Sequence, residues 1–403
     1  MSSKSFPALA GALTLALAAP ALAEDLSIKI GVLTDMSSLY ADLAGQGSVL
    51  AAKMAVEDFG AAAKGIKVEV VGADHQNKAD IGANVVRQWY DQGGVDMVVD
   101  NPNSAVAFAV SDITRDKNKV FLNSGAGSSD LTGAKCSPNT IHWTYDTWAL
   151  ANGTGNAVVA SGGDSWYFLT ADYKFGHDLE RDTGNVVKAK GGQVLGAVRF
   201  PLNTPDFSSF LLQAQASKAK VIGLAMAGGD FSNTVKQAAE FGIVEAGQKL
   251  AGMLVFLTDI HALGLQAAQG LQFTESFYWD LNDQTRAFTK RFVPANRGVH
   301  PTMVHAGVYS ATLHYLKAVA ALKDKKDGAA IVAKMKATPT EDPLFGKGSI
   351  RADGRKLHDL YLFEVKKPSE SKAPWDYYKV VRTIPAAEAF RPIEQGNCPL
   401  VGK

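Results

Sequence analysis

Short runs of β-branched and apolar residues alternate along this chain with longer stretches in which apolar positions recur every three to four residues. The first kind predicts buried strands and the second amphipathic helices. Ile28-Lys29-Ile30-Gly31-Val32-Leu33 reads as a first strand and 46–59 as a helix; a strand at 66–71, a helix at 79–91, a strand at 95–99, a helix at 104–117 and a strand at 120–122 follow. Strand and helix in series are the signature of a parallel sheet covered on both faces. A second series begins after a break at Asp146, with strands at 166–170, 193–200, 221–225 and 253–257 and helices at 175–190, 207–217 and 231–241. Two such blocks predict two α/β lobes. Helices at 284–295, 303–322 and 329–337 come next, periodicity is lost over 338–355, and 361–366 with 377–383 reads as a late strand pair.

The N-terminus departs from this pattern. Lys4, an apolar stretch over 6–19 and Ala21-Leu22-Ala23 match a secretory leader with an A-x-A cleavage site, so 1–23 is expected to be a signal peptide and the mature chain to begin near Glu24. Pro7 and Pro20 count against a buried helix there. No later apolar run approaches the roughly 20 residues of a membrane span. A soluble protein outside the cytoplasm is therefore expected, in about 380 residues that suit two cores better than one.

The composition is 46% apolar and 20% charged, as in ordinary globular chains. The formal charge of +1 falls to zero once Lys4 leaves with the leader, which excludes a basic nucleic-acid footprint. Cys136 and Cys398 are far apart in a chain bound for an oxidising compartment, and a disulfide between them is predicted, the alternative being two free thiols.

Candidate chemistry gathers where strands end. Asp100-Asn101-Pro102-Asn103-Ser104 opens one helix, and Asn123-Ser124-Gly125-Ala126-Gly127-Ser128-Ser129 follows the next strand. Ligands of open parallel sheets bind at these carboxyl ends, where helix N-termini present unpaired N–H groups. Ser104 and Ser128 read equally as helix caps, and Gly125 and Gly127 as turn residues. In the second block Asp172-Tyr173-Lys174-Phe175, Gly228-Gly229-Asp230 and Thr258-Asp259 hold equivalent places, with helix capping the competing role for Asp230 and Asp259. Two aromatic runs, His142-Trp143-Thr144-Tyr145 and Phe277-Tyr278-Trp279, are either core or pocket wall. Tyr40, in the first loop, is placed to close a pocket mouth.

Four segments together resemble the leucine/isoleucine/valine-binding family of periplasmic receptors for ATP-driven importers. They are the run from Ile28 to Leu43, Asp74 to Asn84, Val120 to Thr132, and Tyr173-Lys174-Phe175-Gly176. The resemblance covers nearly all of the mature chain. It implies two Rossmann-like lobes joined by a three-stranded hinge, lobe one being 26–146 plus 275–357, lobe two 147–274 plus 358–385, and 386–403 a C-terminal tail. It further implies that Ser104, Gly125 and Gly127 hold a ligand carboxylate, that Phe175 stacks on the ligand beside Tyr173, and that Asp146 approaches an ammonium group unless it caps the helix starting at Thr147. Amino-acid receptors of the family carry a hydroxyl residue where this chain has Gly127.

The expected ligand is thus a small carboxylate, with aromatic acids and apolar amino acids both open, bound by Tyr40, Ser104, Gly125, Gly127, Asp146, Tyr173, Phe175, Asp230, Asp259 and Trp279. Its partners are the membrane permease subunits of the importer; no nucleic acid, cofactor or metal is expected, and a monomer is. The chain lacks G-x-G-x-x-G, Walker A, G-x-S-x-G and H-E-x-x-H, and its eight histidines are scattered, so no enzyme is predicted. A ligand-sensing module for a membrane partner and an exported hydrolase remain as alternatives.

Overall fold

The computed structural model describes residues 1–2 and 26–402, so the leader expected over 1–23 lies, apart from its first two residues, outside them. The first series runs β1 (Leu26–Thr34), α1 (Gly45–Phe59), β2 (Ile66–Asp74), α2 (Ala79–Asp91), β3 (Met97–Asp100), α3 (Ser104–Asp116), β4 (Val120–Asn123) and β5 (Thr140–His142). These strands form one parallel sheet in the order β2-β1-β3-β4-β5. Every residue of β3 and β4 is buried, because helices cover both faces of a parallel sheet, and continuous apolar runs such as Met97-Val98-Val99 meet that demand.

The second series contains short helices α4 (Thr147–Leu150) and α5 (Asn156–Ala160), with a π-helical turn over Ala151–Gly155 between them. It continues with β6 (Ser165–Ala171), α6 (Lys174–Ala189), β7 (Gln193–Phe200), α7 (Ser208–Ala216), β8 (Val221–Ala225), α8 (Gly229–Glu240), β9 (Lys249–Gly252), α9 (Leu257–Leu263) and α10 (Leu265–Ala268). Its parallel sheet has the order β7-β6-β8-β9. The strand expected at 253–257 falls instead on 249–252. Met253 to Phe256 form an irregular, buried exit from it, whose apolar character imitates a strand: Leu254 and Phe256 line the cleft, while Met253 and Val255 pack in the core.

The chain then makes β10 (Gln272–Glu275) and returns to the first lobe with α11 (Asp283–Ala295), α12 (Met303–Leu322) and α13 (Gly328–Ala337). Helix α12 is apolar on nearly every side because it is buried against α1, β3 and α13 together. Its approach to α1 is so close that a Cβ on Gly47 would lie 2.4 Å from His305 Nε2. The segment without periodicity forms antiparallel strands β11 (Thr340–Asp342), β12 (Gly346–Ile350) and β13 (Lys356–Leu357). Finally β14 (Leu360–Val365) and β15 (Tyr378–Ile384) join β10 in an antiparallel sheet beside the second lobe, and α14 (Ala386–Ala389) begins the tail. Cys136 and Cys398 form a disulfide, with Cα atoms 5.6 Å apart, that ties this tail to the first lobe. Among the described residues no helix is long and apolar enough to cross a membrane.

Candidate functional site

The carboxyl ends of the two parallel sheets face each other, and the loops leaving them meet. Tyr40, Leu43, Pro102, Gly125, Gly127 and Tyr145 from the first-lobe side, and Tyr173, Phe175, Ala227, Leu254 and Phe256 from the second, line a narrow cavity. Five of these residues are aromatic, and none is lysine, arginine or histidine. Outside it lies a wider polar cleft bordered by Ser37, Ser38, Asp42, Asn203, Asp230 and Asp259.

The lobes touch across this space. Tyr40 Oη and Tyr173 Oη are 2.6 Å apart. Gly228, at φ +62°, has its Cβ position 2.7 Å from Leu39 O, and Gly127 has its own 2.8 Å from Phe175 Cε2 and 3.0 Å from Tyr145 Cε2. Glycine is required at 228 by backbone conformation as well as by space; at 127 space alone decides. Farther along the same edge, Lys174 Nζ bridges Asp130 and Asp178 at 2.7 Å each, Ser128 Oγ donates to Asp178, and Asp182 accepts from Ser129 Oγ (2.8 Å) and Thr147 Oγ1 (2.6 Å).

The loop 124–128 can be accounted for group by group. Ser124 O accepts from Thr144 Oγ1 (2.5 Å), Gly125 O from Tyr145 Oη, Ala126 O from Asn123 Nδ2 (2.7 Å), and Gly127 O from Thr147 N (2.7 Å). Ser124 N donates to Asp100 O (3.3 Å), Ala126 N to Asn123 Oδ1 (3.0 Å) and Ser128 N to Ser104 Oγ (3.2 Å). Among the described residues, the N–H groups of Gly125 and Gly127 therefore have no protein acceptor, and both residues line the cavity. Buried main-chain donors are almost always paired, so two left over in one loop mark a place for an acceptor from outside the chain.

Ser104 does not cap its helix. Asn103 does, accepting from Ala105 N (2.9 Å) and Val106 N (3.2 Å), while the Ser104 hydroxyl orients the loop through Ser128 N. Ser128 caps the 3-10 turn Ser129–Thr132. Asp146, expected near a ligand ammonium, is engaged elsewhere: it caps α4 through Ala149 N (2.8 Å) and pairs with Arg355 Nη1 (3.2 Å). Arg355 is fully buried, also donates to Thr144 O (2.7 Å), and is lowered by burial to about 10, against which the Asp146 charge works. Trp279, expected on the wall, points away, donating to Trp375 O at 2.8 Å and packing on His300. Tyr40, Gly125, Gly127, Tyr173 and Phe175 are brought together at the cavity, whereas Asp230 and Asp259 border the outer cleft. Burial raises Asp230 to about 6, against the Asn203 N–H, and Asp259 to about 7, against the Phe256 N–H that its carboxylate accepts at 2.9 Å.

Sequence reasoning missed Leu43, Pro102, Ala227, Leu254 and Phe256 as wall residues, and singled out Tyr145 only as part of an aromatic run. The available signal was positional: each of them lies in or beside a loop at the carboxyl side of a strand.

A sequence profile described as "Periplasmic binding protein" matches residues 27–372. The chain is similar to a periplasmic binding protein of Burkholderia mallei whose structure is solved, at 52% identity and TM-score 0.90, covering 93% of this chain and 99% of that one. It is also similar to a branched chain amino acid ABC transporter periplasmic ligand-binding protein of Burkholderia xenovorans LB400, at 40% identity and TM-score 0.81, with the same coverage. The Leu/Ile/Val-binding protein homolog 6 of Brucella abortus (strain 2308) is 25% identical over 288 residues, 69% of this chain and 71% of the relative.

Proposed function

The chain belongs to the periplasmic binding protein family, and from that premise we propose that it is the receptor of an ABC importer for a small carboxylate, with a single-ring aromatic acid as the preferred ligand. One observation carries the reading: in the loop 124–128 only the N–H groups of Gly125 and Gly127 lack an acceptor, and they border a cavity walled by aromatic rings. Two amides give an anion charge-assisted hydrogen bonds of about 1.5–3 kcal/mol each. The starts of α3, α6 and α8 lie next to the wall residues Pro102, Tyr173 and Ala227 and add their partial positive charge without a cationic side chain. Tyr145, Phe175 and Phe256 supply flat apolar surface of the kind that packs against a ring.

The rigid bodies are 26–146 with 275–357 and 147–274 with 358–385, and the segments between them form the hinge. Ligand held on the first lobe draws Tyr173 and Phe175 onto its exposed face. The closed form gains population only as far as the ligand binds it better than the open one. Closure brings both lobes into one surface for the membrane permease subunits, and the receptor acts as a monomer in the periplasm without chemistry of its own.

An apolar amino acid is the second reading, supported by the name of the Burkholderia xenovorans relative. Against it, no carboxylate lines the cavity, and Asp146 is paired with Arg355.

A thermal-shift screen of the leaderless protein against benzoate, 4-hydroxybenzoate, cinnamate, leucine, valine and benzamide separates these readings. A ligand of the native state alone must raise the midpoint. Stabilisation by the aromatic acids but not by leucine or valine is expected. The reverse pattern selects the amino-acid reading, and no shift with any carboxylate overturns both.

A further inference from the structure

Beneath the ligand loop lies an acid that the site as described does not use. Asp100 ends β3 at φ +84°, and Asn101 follows at φ +73°. Two consecutive non-glycine residues in the left-handed region cost on the order of 1–3 kcal/mol each and persist only where their surroundings impose them. Here they turn the Asp100 side chain under the loop. Its Oδ1 lies 2.9 Å from where a Cβ on Gly125 would be, while its main-chain oxygen accepts from Ser124 N. The carboxyl is fully buried, and neither oxygen has a hydrogen-bond partner among the described residues.

The groups that face it are the hydroxyls of Thr34 from β1, Ser48 from α1 and Ser124 from the end of β4, and the Tyr145 phenol from the first crossing. None is a cation. A negative charge at Asp100 would therefore stand uncompensated directly behind an amide that receives an anion.

We propose that Asp100 is a positioning residue that supports the Gly125–Gly127 loop as a neutral acid, so that carboxylate binding is accompanied by transfer of one proton from solvent to Asp100. This rests on the proposal that the ligand is a carboxylate held by those two amides. Burial raises Asp100 to about 7, which the nearby hydroxyls offset only in part. A bound anion raises it further. In the free receptor near neutral pH the acid is thus partly ionised, and in the complex it is protonated.

The test is isothermal titration of benzoate into the leaderless protein from pH 5.5 to 8.5, in buffers of different ionisation enthalpy. Expected are a Kd that is flat in acid and rises by up to about tenfold per unit above pH 7, and proton uptake approaching one per ligand at pH 8. Asp100→Asn abolishes the uptake and flattens the profile. Asp230→Asn and Asp259→Asn, which remove two further buried acids raised by burial, keep the wild-type slope. A carboxylate bound with no proton uptake by the wild-type protein overturns the proposal without any variant, as does an Asp100→Asn protein that still takes up a proton. If Asp100→Asn does not fold, Asp100→Ser serves in its place. If neither benzoate nor leucine binds at pH 5.5, the carboxylate reading itself falls and this inference with it, an outcome distinct from binding without uptake.

Discussion

Tyr40, in the loop after β1, and Tyr173, at the start of α6, join their hydroxyls at 2.6 Å across the cleft, so that a residue from each lobe completes the other's hydrogen bonding over the cavity. Both phenols are pushed upward, chiefly by burial, and both remain neutral at any physiological pH. A buried neutral hydrogen bond contributes about 0.5–1.5 kcal/mol. Tyr40→Phe and Tyr173→Phe are each expected to weaken ligand binding about three- to tenfold. In a double-mutant cycle read by titration calorimetry, the double variant should be no worse than either single one. Fully additive losses would show that the two hydroxyls act independently.

Gly127 sets how far the lobes can approach. A serine there would place its Cβ 2.8 Å from Phe175 and 3.0 Å from Tyr145, and rings packed on several sides move only at a cost. Overpacking of this kind costs about 1–3 kcal/mol. Gly127→Ser is expected to raise Kd for the preferred ligand by about 5- to 150-fold, with a smaller change in the denaturation midpoint of the ligand-free protein. Adding Phe175→Leu should recover part of the loss. Unchanged affinity in Gly127→Ser would mean that the rings do not hold this arrangement in the complex.

The Cys136–Cys398 bridge closes a separation of 262 residues and pins a tail also held by Arg391 Nη2 on Ser129 O at 2.9 Å. Ser129 in turn bonds Asp182 of α6, so the tail braces an edge where the lobes meet. Cys136→Ser with Cys398→Ser is expected to lower unfolding stability by about 2–4 kcal/mol in urea titrations. Reductant should lower the wild type by a similar amount and leave the double variant unmoved.

His305 gives stability a measurable pH dependence. Burial lowers it to about 4, against the 6.5 of an unfolded chain, and it is held neutral, donating from Nε2 to Ala44 O and accepting from Thr302 N. A depressed group contributes stability that is present above its unfolded value and lost as the pH falls towards its folded one. Its contribution should drop by about 2 kcal/mol between pH 7 and pH 5. Asp100 and Asp259, raised by burial to about 7, act with the opposite sign and favour folding as the pH falls. The difference between wild type and His305→Gln, measured by denaturation at both pH values, isolates the histidine and should shrink by that amount. A constant difference would refute the neutral, buried assignment.

Much of the fold was legible because its central strands are buried on both faces. Met97 to Val99 and Val120 to Leu122 are apolar runs bounded by polar turns, and helices such as Ala79–Asp91 carry their own period. Where burial and period part company, local reading fails. Met253 to Phe256 look like a strand because they are apolar, yet Leu254 and Phe256 line a cleft and Met253 and Val255 fill the core beside it. Gln272–Glu275 escaped notice because a strand of four residues gains its identity from β14 beside it.

The chain by itself determined the serial strand–helix order, the placing of Gly, Ser and Asp residues at strand ends, and a disulfide partner for its second cysteine, since each of these depends on neighbours in sequence or on the residue type alone. Only the tertiary structure decided which of those strand ends share a cavity. Phe256 and Tyr145 lie 111 positions apart, and nothing local couples them. It also decided that Asp146 belongs to Arg355, that Trp279 belongs to Trp375, and that Gly125 and Gly127 alone in their loop keep free N–H groups. The physical reason is that a polar group's role follows from which partners satisfy it, and in this protein those partners arrive from other elements and from the opposite lobe.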